Sequence, residues 1–129
     1  MNVLRRAALG IAAASVALAP AAALAKRGGD STVRAQGRCT GGSTSKLTLR
    51  PENGRIEVEF EVDQNRNGVR WTVTLTRNGS RVVSTAATTK PPSGSFTVRR
   101  LLANGPGRDT VVARATRRSG EVCIARASL

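Results

Sequence analysis

The chain has 129 residues and carries 21 Lys and Arg against 8 Asp and Glu, which gives a formal net charge of +13. It contains no His and only two Cys, so Ser-His-Asp and Cys-His catalysis, imidazole-based zinc sites and iron–sulfur clusters are excluded. Hydrophobic residues make up 40% of the chain, which is enough for the packed core of a single domain.

The first 25 residues predict export. Arg5 and Arg6 precede a run of small and apolar residues, Pro20 interrupts that run, and Ala23-Leu24-Ala25 provides a cleavage site of the A-x-A type. A membrane anchor would need about 20 strongly apolar residues. We therefore predict a signal peptide over 1–25 and a secreted mature chain over 26–129 with no membrane span. The residues leave open whether export follows the Sec or the twin-arginine route.

Most of the mature chain alternates apolar and polar residues with period two, which predicts antiparallel strands. The predicted strands are Thr32–Cys39, Ser45–Arg50, Arg55–Asp63, Val69–Thr76, Ser80–Thr88, Ser95–Leu101, Asp109–Thr116 and Glu121–Ala127. Between two of them, Asn78-Gly79 favours a type I′ hairpin turn that pairs Thr76 with Arg81 and Leu75 with Val82. Eight short strands with no helical period predict an all-β fold, a single antiparallel β-sandwich domain.

The two cysteines are expected to form a disulfide. Cys39 ends the first predicted strand and Cys123 lies in the last. An exported protein with one possible cysteine pair generally oxidises it. The bond would join the first and last strands and, by closing a loop of about 85 residues, would stabilise the fold by up to about 4.5 kcal/mol.

The region from Arg55 onward resembles an immunoglobulin- or fibronectin-III-like sandwich. Trp71 stands where the core Trp of the third strand would be, and Gly107–Thr116 with Ser119–Cys123 resembles the final F–G hairpin of bacterial Ig-like domains. The whole chain is also similar to small secreted all-β proteins of high-GC actinobacteria. It departs from true immunoglobulin domains because it has no Tyr and because its cysteines lie in terminal strands. The resemblance implies fold and location, and it implies no catalytic residue.

One strand presents a row of carboxylates, namely Glu57, Glu59, Glu61 and Asp63. Same-face neighbours on a strand lie about 6.5–7 Å apart, which overlaps the carboxyl separation of inverting glycosidases. Sugar sites usually expose aromatic residues, but the three aromatic residues here all fall on inward faces. We therefore expect these carboxylates to meet arginines of adjacent strands and expect no enzymatic activity. A small hydrolase is kept as an alternative.

The segment after that strand begins like a calcium loop. Asp63, Asn65, Asn67 and Gly68 match the D-x-N-x-N-G pattern, in which alternate oxygens converge on the ion. The twelfth position is Thr74 instead of a bidentate Glu. We predict a hairpin loop, with Asp63, Asn65 and Asn67 as the alternative calcium ligands, and we expect no cofactor.

The positive charge is concentrated toward the C-terminus. Residues 64–129 contain 12 basic and 2 acidic residues, a balance that attracts phosphate-rich polymers such as teichoic acids. No aromatic residues alternate with the arginines, so sequence-specific binding of nucleic acid is not expected. The candidate anion-binding residues are Arg99, Arg100, Arg117 and Arg118. Solubility and codon usage are the alternative explanations of the charge.

The sequence thus predicts a monomeric, secreted binding module whose partner is an anionic cell-envelope polymer. The alternative is a secreted inhibitor or effector that presents loops to an extracellular protein. The loops that would make such a contact are Lys90–Gly94 and Asn104–Arg108.

Overall fold

The computed structural model describes residues 31–129, and the predicted signal peptide lies outside the described residues. The strands are β1 (Val33–Gln36), β2 (Arg38–Cys39), β3 (Thr44–Glu52), β4 (Arg55–Asp63), β5 (Arg70–Arg77), β6 (Ser80–Thr88), β7 (Ser95–Ala103), β8 (Thr110–Arg117) and β9 (Val122–Ser128). They form a four-stranded sheet in the order β1-β3-β4-β7 and a five-stranded sheet in the order β2-β9-β8-β5-β6. All strand pairs are antiparallel, so the predicted all-β antiparallel fold is confirmed.

The chain has nine strands in this range instead of eight, because the first predicted strand is divided at Gly37. The part before Gly37 pairs with β3 in one sheet, and the part after it pairs with β9 in the other. A Cβ on Gly37 would lie 2.0 Å from Ser45 Oγ and 2.8 Å from the Ile124 carbonyl oxygen. Only glycine therefore permits the chain to cross between the sheets at this point.

The core lies between the two sheets. The strand β4 has the predicted bounds, and its inward residues Ile56, Val58, Phe60 and Val62 are fully buried. On the other sheet Trp71, Val73 and Leu75 of β5 are fully buried as well. Each such side chain contributes about 1.5–3 kcal/mol by leaving water, so the alternating pattern sets which face of each strand is inward.

The β5–β6 hairpin has the predicted turn and a different register beyond it. Asn78 and Gly79 have φ angles of 50° and 84°, as a type I′ turn requires, and Thr76 pairs with Arg81. The predicted pairing of Leu75 with Val82 is wrong, because a β-bulge shifts the register and Leu75 pairs with Val83. The bulge exposes Val82 and directs the half-buried Val83 toward the core.

The shifted register suits the rest of β6. It places the small Ala87 opposite the bulky Trp71. It also buries Thr89, whose hydroxyl accepts a hydrogen bond from Val69 N and donates one to the Arg66 carbonyl.

The predicted disulfide is present. Cys39 and Cys123 are directly opposite each other on β2 and β9, with their Cα atoms 4.0 Å apart. The bond therefore joins the second and last strands, since β1 precedes it in the other sheet. A disulfide is typical of proteins in oxidising, extracellular environments.

We expect the paired replacement Cys39→Ala and Cys123→Ala to lower the free energy of unfolding by up to about 4.5 kcal/mol, because the oxidised unfolded chain is constrained over 84 residues of separation. Urea denaturation of the two proteins measures the difference. A loss below about 1 kcal/mol would show that the bond does not constrain the unfolded chain in this way.

Candidate anion-binding surface

The carboxylates of β4 are matched by basic side chains on the neighbouring strands. The register places Arg50 of β3 opposite Glu57 and Arg99 of β7 opposite Glu59. Arg50 Nη1 lies 2.7 Å from Glu57 Oε1, and Arg99 Nε donates to Glu59 Oε1 at 3.0 Å. The expectation that these carboxylates meet arginines of adjacent strands is confirmed for Glu57 and Glu59.

This pairing also bears on the hydrolase alternative. The hydrogen bond from Arg99 holds the pKa of the Glu59 carboxyl below its ordinary value, and the charges of Arg99, Arg50 and Lys46 act in the same direction. The general acid of a glycosidase needs the opposite shift, a raised pKa. The depression beside Glu59 and Glu61 has a volume of only about 180 Å³.

A separate hydrogen-bonded group is formed by one carboxylate, Glu121, with Ser43 and Arg117. Glu121 is buried in the turn between β8 and β9, where it accepts hydrogen bonds from the backbone nitrogen and hydroxyl of Ser43 at 3.0 and 3.1 Å. Arg117 Nε donates to Glu121 Oε1 at 2.8 Å, and its guanidinium lies 5.6 Å from the centroid of the Trp71 ring. Burial raises the pKa of Glu121, but the hydrogen bonds from Ser43 and Arg117 outweigh it and the pKa is lowered. Arg117 therefore stabilises the fold through both Glu121 and Trp71.

The lowered pKa means that ionised Glu121 stabilises the folded state above the ordinary pKa of a glutamate. This contribution is lost as the pH falls through the lowered pKa of the folded state. We expect Glu121→Gln to lower the free energy of unfolding by about 2–3 kcal/mol at neutral pH. We expect the difference in the free energy of unfolding between Glu121→Gln and the parent protein to narrow as the pH falls below the ordinary pKa of a glutamate.

Denaturation curves measured as the pH is lowered from neutral test the prediction, with Glu52→Gln at the exposed end of β3 as the control. A gap that stays constant as the pH falls would contradict the proposed role of the ionised carboxylate.

The outward face of the five-stranded sheet has a different composition. It carries six exposed arginines, which we call the arginine face: Arg38, Arg70, Arg81, Arg114, Arg118 and Arg126. Five project from strands and Arg118 from the turn after β8. Threonines fill many of the positions between them, including Thr72, Thr74, Thr76 and Thr116.

No carboxylate in residues 31–129 is exposed on the arginine face. Four of the seven lie on the opposite outer face along β4, and Glu52 is the last residue of β3. The other two, Asp109 and Glu121, are buried. Accordingly, within the described range none of the six arginines forms an ion pair, whereas Arg50, Arg99 and Arg117 do.

The spacing of these arginines follows from the register. Arg126 and Arg81 occupy one row across β9, β8, β5 and β6, so their backbones are about 14 Å apart at about 4.8 Å per strand. Arg114 and Arg38 occupy another row two strands apart, a separation of about 10 Å. Both separations exceed the Debye length of about 8 Å at physiological salt, but they are well within the Debye length of about 30 Å at 0.01 M salt. The arginines therefore act as a shared positive field at low ionic strength.

Two shallow depressions lie on the arginine face. One, of about 480 Å³, is lined by Arg70, Thr72, Thr116, Arg117 and Arg118. The other, of about 550 Å³, includes Arg126 with Thr76, Thr110 and Ser128. In both, hydroxyl groups that can donate hydrogen bonds lie beside guanidinium groups, the combination that proteins use to contact phosphate oxygens.

The four arginines singled out from the sequence are distributed over four environments. Arg99 is paired with Glu59 on the four-stranded sheet, and Arg117 is paired with Glu121. Arg100 lies at the edge strand β7, and only Arg118 belongs to the arginine face. Sequence reasoning did not show that the other five arginines of the arginine face share one surface with Arg118. Their alternation with inward residues was visible in the sequence, but the order of the strands was not.

The calcium alternative concerns the loop between β4 and β5. Asp63 Oδ1 accepts a hydrogen bond from Asn65 N at 3.1 Å, and Asn65 has a φ of 58°, as in an Asx turn. Gln64 Oε1 accepts a hydrogen bond from Trp71 Nε1 at 3.0 Å. Residues 31–129 contain no group of three or more Cys, Asp or Glu that could hold a metal ion. The predicted hairpin is wrong, because β4 and β5 lie in different sheets and the loop crosses between them. Asp63, Asn65 and Asn67 as calcium ligands remain the alternative, which these contacts do not test.

The two loops proposed to contact a protein lie at opposite ends of β7. The Lys90–Gly94 loop precedes this strand and the Asn104–Arg108 loop follows it. The nine residues of β7 span about 30 Å. The first loop is packed against the β4–β5 loop, since a Cβ on Gly94 would lie 2.2 Å from Arg66 N. The two loops do not form one contact surface.

In a comparison with known proteins, no family model and no curated protein matches the chain. Across the residues that the structure describes, no helix has the length and apolar character needed to cross a membrane.

Proposed function

We propose that this protein is a secreted binding module that holds an anionic cell-envelope polymer on its arginine face. The observation that carries the proposal is the separation of charge between the two outer faces. One face pairs Arg50 and Arg99 with the carboxylates of β4, whereas the other presents six arginines with no exposed carboxylate in the described range. Uncompensated charge of this kind raises the local concentration of polyanions.

A phosphodiester polymer fits the face best. Its charges are spread along a flexible chain, as the arginines are spread across five strands, and its phosphate oxygens accept hydrogen bonds from guanidinium and hydroxyl groups. The face has no exposed aromatic side chain on which bases could stack. Binding would therefore be governed by charge and independent of base sequence.

We further propose that the domain is of the immunoglobulin-like kind. The order β9-β8-β5-β6 corresponds to the G-F-C-C′ order of such sandwiches, and Trp71 is buried on the strand in the C position. In this arrangement the arginine face is the outer surface of that sheet.

Binding to synthetic polyglycerolphosphate, measured against salt concentration, tests the proposed function. We expect the logarithm of the affinity to fall linearly with the logarithm of salt, with a slope of several units. Arg114→Gln and Arg126→Gln should each weaken binding by about 2- to 5-fold and reduce the slope by about 1, with neither dominating. Both residues are exposed strand positions, so the melting temperature should not change.

Arg99→Gln is the matched control, because it removes the same charge from the other sheet, where Arg99 is paired with Glu59. Absence of binding at low ionic strength would refute the proposal, as would equal weakening by Arg99→Gln. If substitution of a single loop residue lowered the binding free energy by more than about 2 kcal/mol, the result would instead indicate recognition of a protein target.

A further inference from the structure

A groove lies between the two sheets, along the side of the sandwich where each sheet has an edge strand. There β6 is the edge of the five-stranded sheet and β7 is the edge of the four-stranded sheet. The strands are joined at one end by the Lys90–Gly94 loop, and Lys90 pairs with Ser95 to close that end. Farther along, the groove is open and has a volume of about 380 Å³.

The groove has an uncharged interior and a positively charged rim. Phe96 and Val98 of β7 and Ala87 of β6 line it, together with Arg70, Lys90 and Arg100 at the rim. No carboxylate lines it. The uncharged residues that line it are Thr85–Thr88 of β6 and Phe96–Val98 of β7. They belong to Val82–Thr89 and Pro91–Val98, each eight residues without a charge and the longest such runs in residues 31–129.

The two edge strands that border the groove differ in how well their unpaired backbone groups are protected from pairing with another strand. On β7, Arg100 Nη1 donates to the Arg99 carbonyl at 2.8 Å and Arg77 Nη1 donates to the Ala103 carbonyl, so charged side chains cover carbonyl groups of this strand. From Val83 to Thr88, by contrast, β6 has no charged residue and no proline. Natural proteins usually protect an edge with such residues, because an unprotected edge pairs readily with another strand.

We propose that an extended acidic peptide of a partner protein binds in this groove by adding as a strand to the unpaired edge of β6. Backbone hydrogen bonds to β6 would supply much of the affinity, as in other cases of strand addition. Carboxylates of the peptide would reach Arg70, Lys90 and Arg100, and small apolar side chains would pack on Phe96 and Val98. This site and this partner differ from the polymer and the arginine face, although Arg70 borders both surfaces.

The probe is a short blocked peptide of alternating Glu and Val, compared with a peptide in which every Glu is replaced by Gln. We expect the Gln peptide to bind at least about 10-fold more weakly, because it lacks the charge that complements the rim. N-methylation of alternate backbone nitrogens removes the hydrogen-bond donors from one edge of the peptide. Methylation of the nitrogens that face β6 should abolish binding. Methylation of the intervening nitrogens, which point away from β6, should be tolerated.

Two substitutions on β6 form a matched pair. Ala86 and Ser84 are both exposed, but only Ala86 lines the groove. We expect Ala86→Glu to lower the affinity for the acidic peptide by at least about 10-fold and Ser84→Glu to lower that affinity by less than about 3-fold. Arg114→Gln, on the arginine face, should leave peptide binding within about 2-fold.

Several results would overturn the proposal. These are no detectable peptide binding, equal loss of binding for the two alternate sets of methylated nitrogens, or equal weakening of peptide binding by Ala86→Glu and Ser84→Glu. Dodecanoate, a small anion with an apolar chain, is the competing occupant. Tight binding of dodecanoate with no binding of the peptide would assign the groove to an amphiphile and would also refute strand addition.

Discussion

Each strand must bury one face between the two sheets, and this requirement decides where the charges of the chain can lie. The inward residues of the central strands are apolar and fully buried, as Phe60 and Trp71 illustrate. Charged side chains are therefore confined largely to the two outer faces, the loops and the sheet edges. Because β4 is a central strand and carries four of the carboxylates, the outer face of its sheet receives most of the negative charge.

The consequence is an asymmetric molecule. Arg50 and Arg99 beside β4 are held in ion pairs, which in exposed positions contribute less than about 1 kcal/mol each to stability. The six arginines of the arginine face have no such partners within the described range. Net charge alone would not reveal this difference, since Arg99 and Arg114 contribute equally to it. A surface available to a polyanion arises only where strand order separates arginines from carboxylates.

Arg117 illustrates why a basic residue is not by itself a binding residue. Its guanidinium lies between the buried Glu121 carboxylate and the Trp71 ring. Removing it would leave a buried charge unpaired, with a cost of about 3–5 kcal/mol. Loss of binding in an Arg117 variant would therefore report on folding, whereas the exposed residues of the arginine face can be changed without that effect.

Local sequence patterns were sufficient to predict much of the fold. The alternation in Arg55–Asp63 predicted the bounds of β4, Asn78-Gly79 predicted the turn between β5 and β6, and the cysteine count predicted the disulfide. The crossing at Gly37 and the bulge before Val83 were missed, because both depend on contacts with residues distant in sequence. The arginine face was missed for the same reason, since strand order determines which arginines become neighbours.

The most direct test of the charge separation is a map of where the polymer touches the protein. Nuclear magnetic resonance can follow the Arg Nε–Hε and backbone amide signals while polyglycerolphosphate is added at low ionic strength. We predict that the largest shifts fall on Arg38, Arg114 and Arg126 and on the amides of β5, β8 and β9. Shifts concentrated on Arg50, Arg99 and the amides of β3 and β4 would contradict the assignment of the polymer to the arginine face.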